Sequence, residues 1–139
     1  MEKLVLLTAE EAALRYDSLQ RLMRQEGIGS LLVCDNANLL ALCGRVYAGY
    51  AWIPADGAPV WFVRRPVELE GDNVAYIRKP EEIPSVLQGA GITLEGTVGL
   101  EMDLTSYTGI ERLKAVFATH ECVNASDVLR RWRSVKTPA

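Results

Sequence analysis

The chain has 139 residues, of which 49% are hydrophobic and 24% charged, values typical of one soluble globular domain. Its formal net charge of −3 provides no positive field to attract a polyanion, which argues against a nucleic-acid partner. No apolar run approaches the roughly 18 residues that a membrane span needs, and the opening segment is already acidic at Glu2. We therefore expect a cytoplasmic protein without a membrane partner.

The first third of the chain predicts a helix, a strand and a second helix. Thr8 opens a capping-box pattern, and a long amphipathic helix follows that Gly27 ends. Residues 30–34 form a short continuous apolar run, which predicts a central strand buried on both faces. Residues 36–43 then predict a short helix that ends at Gly44.

The remaining elements alternate between strands and helices. Residues 46–54 and 59–63 predict a β-hairpin, and residues 74–77 predict a strand before a helix that begins at Pro80. A strand at residues 98–102, a helix at residues 106–117 and an edge strand at residues 121–124 follow. The last element is a helix that Ser126 or Asp127 can cap. This order predicts an α/β fold in which a mixed β-sheet is flanked by helices.

Candidate catalytic groups are few. The cysteines Cys34, Cys43 and Cys122 lie among apolar residues without C-x-x-C spacing, so we interpret them as reduced core thiols. His120 is the only histidine, and no metal-binding spacing surrounds it. We therefore predict no catalytic residue and no metal ligand in this chain.

Three carboxylates follow predicted strands, at the edge where open α/β sheets place their sites. They are Asp35, Glu101 and Asp103. Aspartate after a strand also makes turns and caps helices, so we favour a structural role over a ligand-facing one. A phosphate-binding loop needs glycines between a strand and the helix that follows it. Gly27 and Gly29 instead precede a predicted strand, and Gly89 and Gly91 follow a predicted helix, which disfavours a nucleotide binder.

An aromatic and basic group occupies the first strand of the hairpin and the segment before it. Its members include Arg45, Tyr47, Tyr50 and Trp52. These residue types are enriched at interface hot spots, and alternation places Tyr50 and Trp52 on one face. That face is either core, which we favour, or the rim of an interface or cleft.

Three stretches carry a family resemblance. Residues 15–33 are similar to an opening helix, a Gly-Ile-Asp turn and a strand, with Gly29 in place of the acidic residue. Residues 38–44 resemble Asn-x-x-Tyr-Leu-Thr-Gly, with Ala41 and Cys43 replacing tyrosine and threonine.

The third stretch has two parts. Residues 98–101 resemble a late strand, and residues 125–138 a helix followed by an Arg-x-x-Lys-Ser-Pro linker. Together the three stretches resemble the amino-terminal domain of the creatinase, prolidase and aminopeptidase P family of Xaa-Pro metallopeptidases.

This resemblance implies a ribonuclease H-like mixed sheet in residues 1–133. Residues 134–139 would begin a linker to an absent carboxy-terminal pita-bread domain, which would hold two divalent ions of manganese, cobalt or zinc. The parent would hydrolyse the bond before proline in short peptides. The amino-terminal domain itself would be non-catalytic, would border the substrate cleft and would contribute to a homodimer.

The resemblance also suggests where the cleft lies. Arg45, Tyr47, Tyr50 and Trp52 follow the Asn-to-Gly motif, whose loop lies near the cleft in relatives, so we take them as candidates for the cleft or an interface. Two alternatives stay open. The chain could be a self-contained α/β binding or dimerisation module, or its parent could be a creatinase-like amidinohydrolase or an inactive relative.

Overall fold

The computed structural model describes residues 9–65, residue 71 and residues 73–134. The predicted cap at Thr8 and linker residues 135–139 lie outside the described residues. Within them the elements, in chain order, are α1 (Ala9–Glu26), β1 (Ser30–Val33), α2 (Asn36–Cys43), β2 (Ala48–Pro54), β3 (Val60–Arg65), β4 (Val74–Tyr76), a 3₁₀ helix (Pro80–Glu82), α3 (Ile83–Gly89), β5 (Val98–Leu100), α4 (Tyr107–Val116), β6 (Cys122–Asn124) and α5 (Ser126–Ser134).

The strands form one mixed sheet in the order β4-β3-β2-β1-β5-β6. Strand β2 runs antiparallel to both of its neighbours, and every other neighbouring pair is parallel. Strand β1 lies in the middle and is buried along its whole length, because both faces of the sheet are covered. The predicted mixed α/β sheet and the predicted central strand are thus confirmed.

Helices cover the sheet in two layers. On one face, apolar residues of α1, α2 and α5 pack against the sheet around Leu19, Leu39 and Leu129. On the other face, α3 and α4 contribute Leu87, Leu113 and the following Phe117. Each layer buries the apolar stripe of its helices, which is the main stabilising contribution to a fold of this kind.

The second helix shows how local sequence fixes an element. Asp35 Oδ2 accepts hydrogen bonds from the backbone amides of Ala37 at 3.1 Å and Asn38 at 3.3 Å. At the other end Gly44 has a φ of 75° and donates its amide to Leu40 O. A left-handed φ favours glycine, so the predicted bounds of α2 are confirmed.

Some predicted boundaries need correction. The strand predicted for residues 98–102 ends at Leu100, because the chain turns at once and the amide of Leu104 bonds to Glu101 O. Neither Ser126 nor Asp127 caps α5: the helix begins with Ser126, and Ala125 O accepts its first bond, from the amide of Leu129. The Ser126 hydroxyl instead accepts from the backbone of the β5–α4 loop.

Candidate functional site at the carboxyl edge of the sheet

Five of the six strands end at the same edge of the sheet, since only β2 runs the other way. The residues that follow these strands therefore lie along one rim, together with the first residues of β2. Open α/β sheets bind ligands at this edge. We refer to it as the carboxyl edge.

Glu101 is the most buried charged group at this edge, with 2% of its surface exposed. Its Oε1 accepts the backbone amides of Cys34 at 2.7 Å and Asp35 at 3.0 Å, and its Oε2 accepts Asn38 Nδ2 at 2.6 Å. A buried carboxylate is tolerated where donors replace its water, and here three do so. Glu101 therefore ties the β1–α2 corner to the end of β5.

The other two strand-end carboxylates are also engaged within the chain. Asp35 caps α2, as described above. Asp103 accepts from Arg130 Nη1 at 2.9 Å and from Asn124 Nδ2 at 2.9 Å, and these bonds lower its pKa. The structural interpretation of Asp35, Glu101 and Asp103 is confirmed, because their side chains cap and connect elements.

The cysteines offer little nucleophilic character. All three are free thiols, and Cys43 is buried. Burial, followed by the charge of Glu101 and a hydrogen bond to it, raises the pKa of Cys34 to about 12. Since the thiolate is the reactive form, Cys34 is unreactive at neutral pH.

Tyr50, the third residue of β2, is an aromatic residue near the carboxyl edge. Its side chain is half-buried against the α3 and α4 layer. Burial raises its pKa, the charge of Cys34 adds to this, and the positive charges of Arg112 and Arg64 oppose it. Two guanidinium groups thus lie close enough to Tyr50 to act on its hydroxyl.

A bidentate ion pair stands beside Tyr50. Arg112 on α4 donates from Nε to Glu81 Oε2 at 2.7 Å and from Nη2 to Glu81 Oε1 at 2.8 Å. This fork-to-fork geometry joins α4 to the 3₁₀ helix and lowers the pKa of Glu81 to about 2. Within residues 9–65 and 73–134, Arg64 forms no ion pair with a carboxylate.

The structure separates the four residues that the sequence singled out. Tyr47 is 4% exposed in the α1, α2 and α5 layer, and its hydroxyl donates to Tyr50 O at 2.8 Å. Trp52 is 3% exposed in the opposite layer, and its Nε1 has no hydrogen-bond partner among the described residues. Arg45 lies in the loop before β2 with intermediate exposure. Tyr50 and Trp52 share a face, as alternation predicted.

Sequence reasoning missed a cavity near Tyr50 whose lining includes three charged side chains. It has a volume of about 360 Å³ and is lined by Arg64, Tyr76, Ile77, Arg78 and Glu82. It forms because β4 pairs parallel to β3, with Val63 opposite Tyr76. No local signal in the sequence indicates this parallel pairing.

Metal ligands and membrane spans were sought in the part of the chain that the structure describes. No three His, Cys, Asp or Glu side chains in residues 9–65 and 73–134 are grouped so as to hold a metal ion. The ring of His120 instead lies 3.0 Å from Thr119 Oγ1 and 3.2 Å from Leu94 O. Among these same residues, no helix combines the length and apolar composition needed to cross a bilayer.

Comparison with known proteins gives one family and several similar folds. The model of the Creatinase/Prolidase N-terminal domain matches residues 15–135. The N-terminal domain of cytoplasmic peptidase PepQ from Mycobacterium tuberculosis H37Rv is similar, with 23% identity and a TM-score of 0.69, over 86% of this chain and 98% of that one. No curated protein matches the chain.

Two further solved structures differ in how much of them the chain covers. The Creatinase/Prolidase N-terminal domain of an X-Pro dipeptidase from Streptococcus pyogenes has 17% identity and a TM-score of 0.64, over 89% of this chain and 99% of that one. The Xaa-Pro dipeptidase from Bacillus anthracis has 18% identity and a TM-score of 0.68, over 91% of this chain but 37% of that one. At these identities the likeness shows the fold.

Proposed function

The chain belongs to the Creatinase/Prolidase N-terminal domain family, and on this premise we propose that it is the non-catalytic amino-terminal domain of an Xaa-Pro dipeptidase or aminopeptidase. The observation that carries the proposal is the difference in coverage. The chain matches 99% of an isolated N-terminal domain but 37% of the Bacillus anthracis dipeptidase. The proposed parent is a cytoplasmic protein in which residues 134–139 begin the linker to a carboxy-terminal catalytic domain.

The chemistry of the parent would come from that second domain. Two divalent ions, of manganese, cobalt or zinc, would activate water for attack on the bond before proline. The described residues of this chain do not fit a metal pair, since they offer no cluster of three ligands. The contribution of this chain is therefore to border the cleft, to limit it to short peptides and to support a homodimer.

The carboxyl edge is the surface best suited to border a cleft. Tyr50 presents an aromatic ring there, with the positive charges of Arg64 and Arg112 nearby. Arg45 in the preceding loop is partly exposed, so it and Tyr50 are the candidates for contact with a peptide. Tyr47 and Trp52 are buried, and we assign them a supporting role: Tyr47 holds the backbone of Tyr50 by its hydrogen bond.

Hydrolysis of Xaa-Pro peptides tests the proposal. We would assay a Gly-Pro dipeptide and an Xaa-Pro tripeptide with added manganese, using this chain and the full-length product of its gene. We expect cleavage by the longer protein alone. Cleavage by the 139-residue chain would contradict the non-catalytic assignment, and inactivity of both would favour a self-contained binding or dimerisation module.

The cleft role has its own test in the longer protein. Tyr50→Ala removes the ring at the carboxyl edge, so we expect a higher KM with a smaller change in kcat. Leu14→Ala is the matched control, because Leu14 lies on α1 and is 84% exposed. Equal kinetic effects of the two variants would remove Tyr50 from the cleft.

A further inference from the structure

The cavity between the ends of β3 and β4 has the features of a ligand site. Its volume of about 360 Å³ falls within the range of roughly 300–1,000 Å³ that is usual for small-molecule pockets. Arg64 belongs to β3, and Arg78 follows β4 by two residues. The amide of Ile77 donates to Val63 O at 3.1 Å, so the parallel pairing continues to the cavity and brings the two arginines to its wall.

The two arginines at the cavity are among those that form no ion pair with a described carboxylate. Arg21, Arg112, Arg130 and Arg131 each form an ion pair with a carboxylate. Within the described part of the chain, neither Arg64 nor Arg78 has such a partner. Glu81, the neighbouring carboxylate, already accepts both bonds from Arg112. The cavity lining thus holds two guanidinium groups against one carboxylate, that of Glu82, and the planar geometry of the guanidinium groups fits the carboxylate of a ligand.

The remaining wall of the cavity supplies one negative charge and an apolar surface. Glu82 Oε2 accepts the backbone amides of Arg78 at 2.6 Å and Lys79 at 2.9 Å, and these bonds lower its pKa. Glu82 therefore remains ionised and fixed in position at neutral pH. Ile77 is 5% exposed and forms the apolar part of the lining.

We propose that this cavity binds a small zwitterion, namely a free α-amino acid or a short peptide with free ends. The ligand carboxylate would be bound by Arg64 and Arg78, its ammonium group by Glu82, and its apolar part by Ile77. This binding activity belongs to the present chain and does not depend on a catalytic domain. A test of binding is therefore independent of a test of the proposed hydrolysis.

Titration of the isotope-labelled chain, followed by its amide resonances, tests the proposal. The ligands are L-proline, Gly-Pro, Gly-Pro amide, N-acetyl-Gly-Pro and inorganic phosphate. We expect saturable shifts at residues 64 and 76–82 with proline, Gly-Pro or both, and the tighter of the two identifies the natural class. Loss of the ligand carboxylate in Gly-Pro amide should weaken binding by about tenfold or more.

Charge-removing variants identify the groups responsible. Arg64→Gln and Arg78→Gln should each weaken Gly-Pro binding by about tenfold. Glu82→Gln should weaken Gly-Pro but leave N-acetyl-Gly-Pro unchanged, and the Gln oxygen retains the hydrogen bonds of the cap. Arg65→Gln is the matched control, because Arg65 is also exposed at the end of β3 but does not line the cavity.

Four results would overturn the proposal. They are the absence of saturable shifts with both proline and Gly-Pro, equal affinity for Gly-Pro and its amide, phosphate binding as tight as that of Gly-Pro, and an effect of Arg65→Gln as large as that of Arg64→Gln. The last two would indicate a general attraction of anions to a basic surface. Circular dichroism of each variant verifies that the fold is intact.

Discussion

Asn38 Nδ2 donates a hydrogen bond of 2.6 Å to Glu101 Oε2, although the two residues lie 63 positions apart in the chain. Both side chains are buried, with 2% of each exposed. Asn38 Oδ1 in turn accepts from Arg133 Nη1 at 3.3 Å, so the end of α5 joins the same network. The carboxyl edge is thus held by polar contacts between α2, β5 and α5.

Removal of the Glu101 carboxylate should destabilise the fold. Glu101→Ala leaves three donors without an acceptor, and each buried donor left unpaired costs about 1–3 kcal/mol. We expect the free energy of unfolding to fall by about 3 kcal/mol in urea titrations. Glu111→Gln is the control, since Glu111 is exposed and its ion pair with Lys114 is long, at 4.0 Å. Equal stability of the two variants would contradict the role of Glu101.

The Asn38–Glu101 hydrogen bond can be tested by moving the carboxylate from residue 101 to residue 38. Glu101→Gln places an amide group against the Asn38 donor, so two donors face each other. Adding Asn38→Asp restores an acceptor that can also receive Arg133. We expect the double variant to unfold at a higher urea concentration than Glu101→Gln alone. If the loss of unfolding free energy in the double variant equals the sum of the losses in the two single variants, the two side chains do not interact.

Thiol reactivity should follow the surroundings of each cysteine. Cys34 has a pKa of about 12, and Cys43 is 1% exposed, so both should react slowly with a disulfide reagent at pH 8. Burial raises the pKa of Cys122 as well, but the positive charge of Lys114 opposes this, so Cys122 should react first. Glu101→Gln removes the negative charge that raises the pKa of Cys34, so its reaction should become faster. An unchanged rate would exclude that influence.

Gly99 in β5 lies where neighbouring side chains leave no room for a Cβ. A Cβ at this position would lie 2.5 Å from Leu31 Cδ2 and 2.8 Å from Ala125 Cβ. Gly99→Ala should therefore destabilise the protein by about 1–3 kcal/mol, measured by thermal or urea unfolding. Gly89→Ala is the control, because a Cβ there has no neighbour within 4 Å. An unchanged stability of the Gly99→Ala variant would show that β5 can shift to make room for the added Cβ.

Acid should weaken the fold within a defined pH range. The pKa of Glu81 is lowered from 4.5 to about 2, mainly by its hydrogen bonds to Arg112. A lowered pKa stabilises the folded state above the unfolded-state value, and this contribution is lost as the pH falls from 4.5 towards 2. Arg112→Gln should flatten the decline of stability across this range. An unchanged slope would show that the pair contributes nothing measurable.

Local signals allowed part of this structure to be predicted. The bounds of α2 follow from Asp35 and Gly44, whose effects act within one turn of the chain. The shared face of Tyr50 and Trp52 follows from the alternation of a strand. In both cases the interaction that decides the structure lies within a few residues.

Other features depend on contacts that no local pattern reveals. Ser126 was expected to cap α5, yet its hydroxyl accepts the amide of Asp103, which only the folded chain brings near. The cavity at Arg64 and Arg78 requires β4 to add in parallel to β3. Trp52 lies in the predicted strand, whereas Tyr47 precedes β2, which begins at Ala48 rather than at residue 46. The burial of both depends on the helices that cover the two faces of the sheet.

The parallel pairing of β1 with β5 also affects how the chain folds during synthesis. The half-sheet β4-β3-β2-β1 can form as soon as residue 76 is available, while its central strand still lacks a neighbour on one side. Until Val98 to Leu100 arrive, the backbone groups of Ser30 and Leu32 on that side remain open, as on an edge strand that can pair with another chain. A ribosome that pauses between these segments, or a truncation before β5, would therefore favour aggregation.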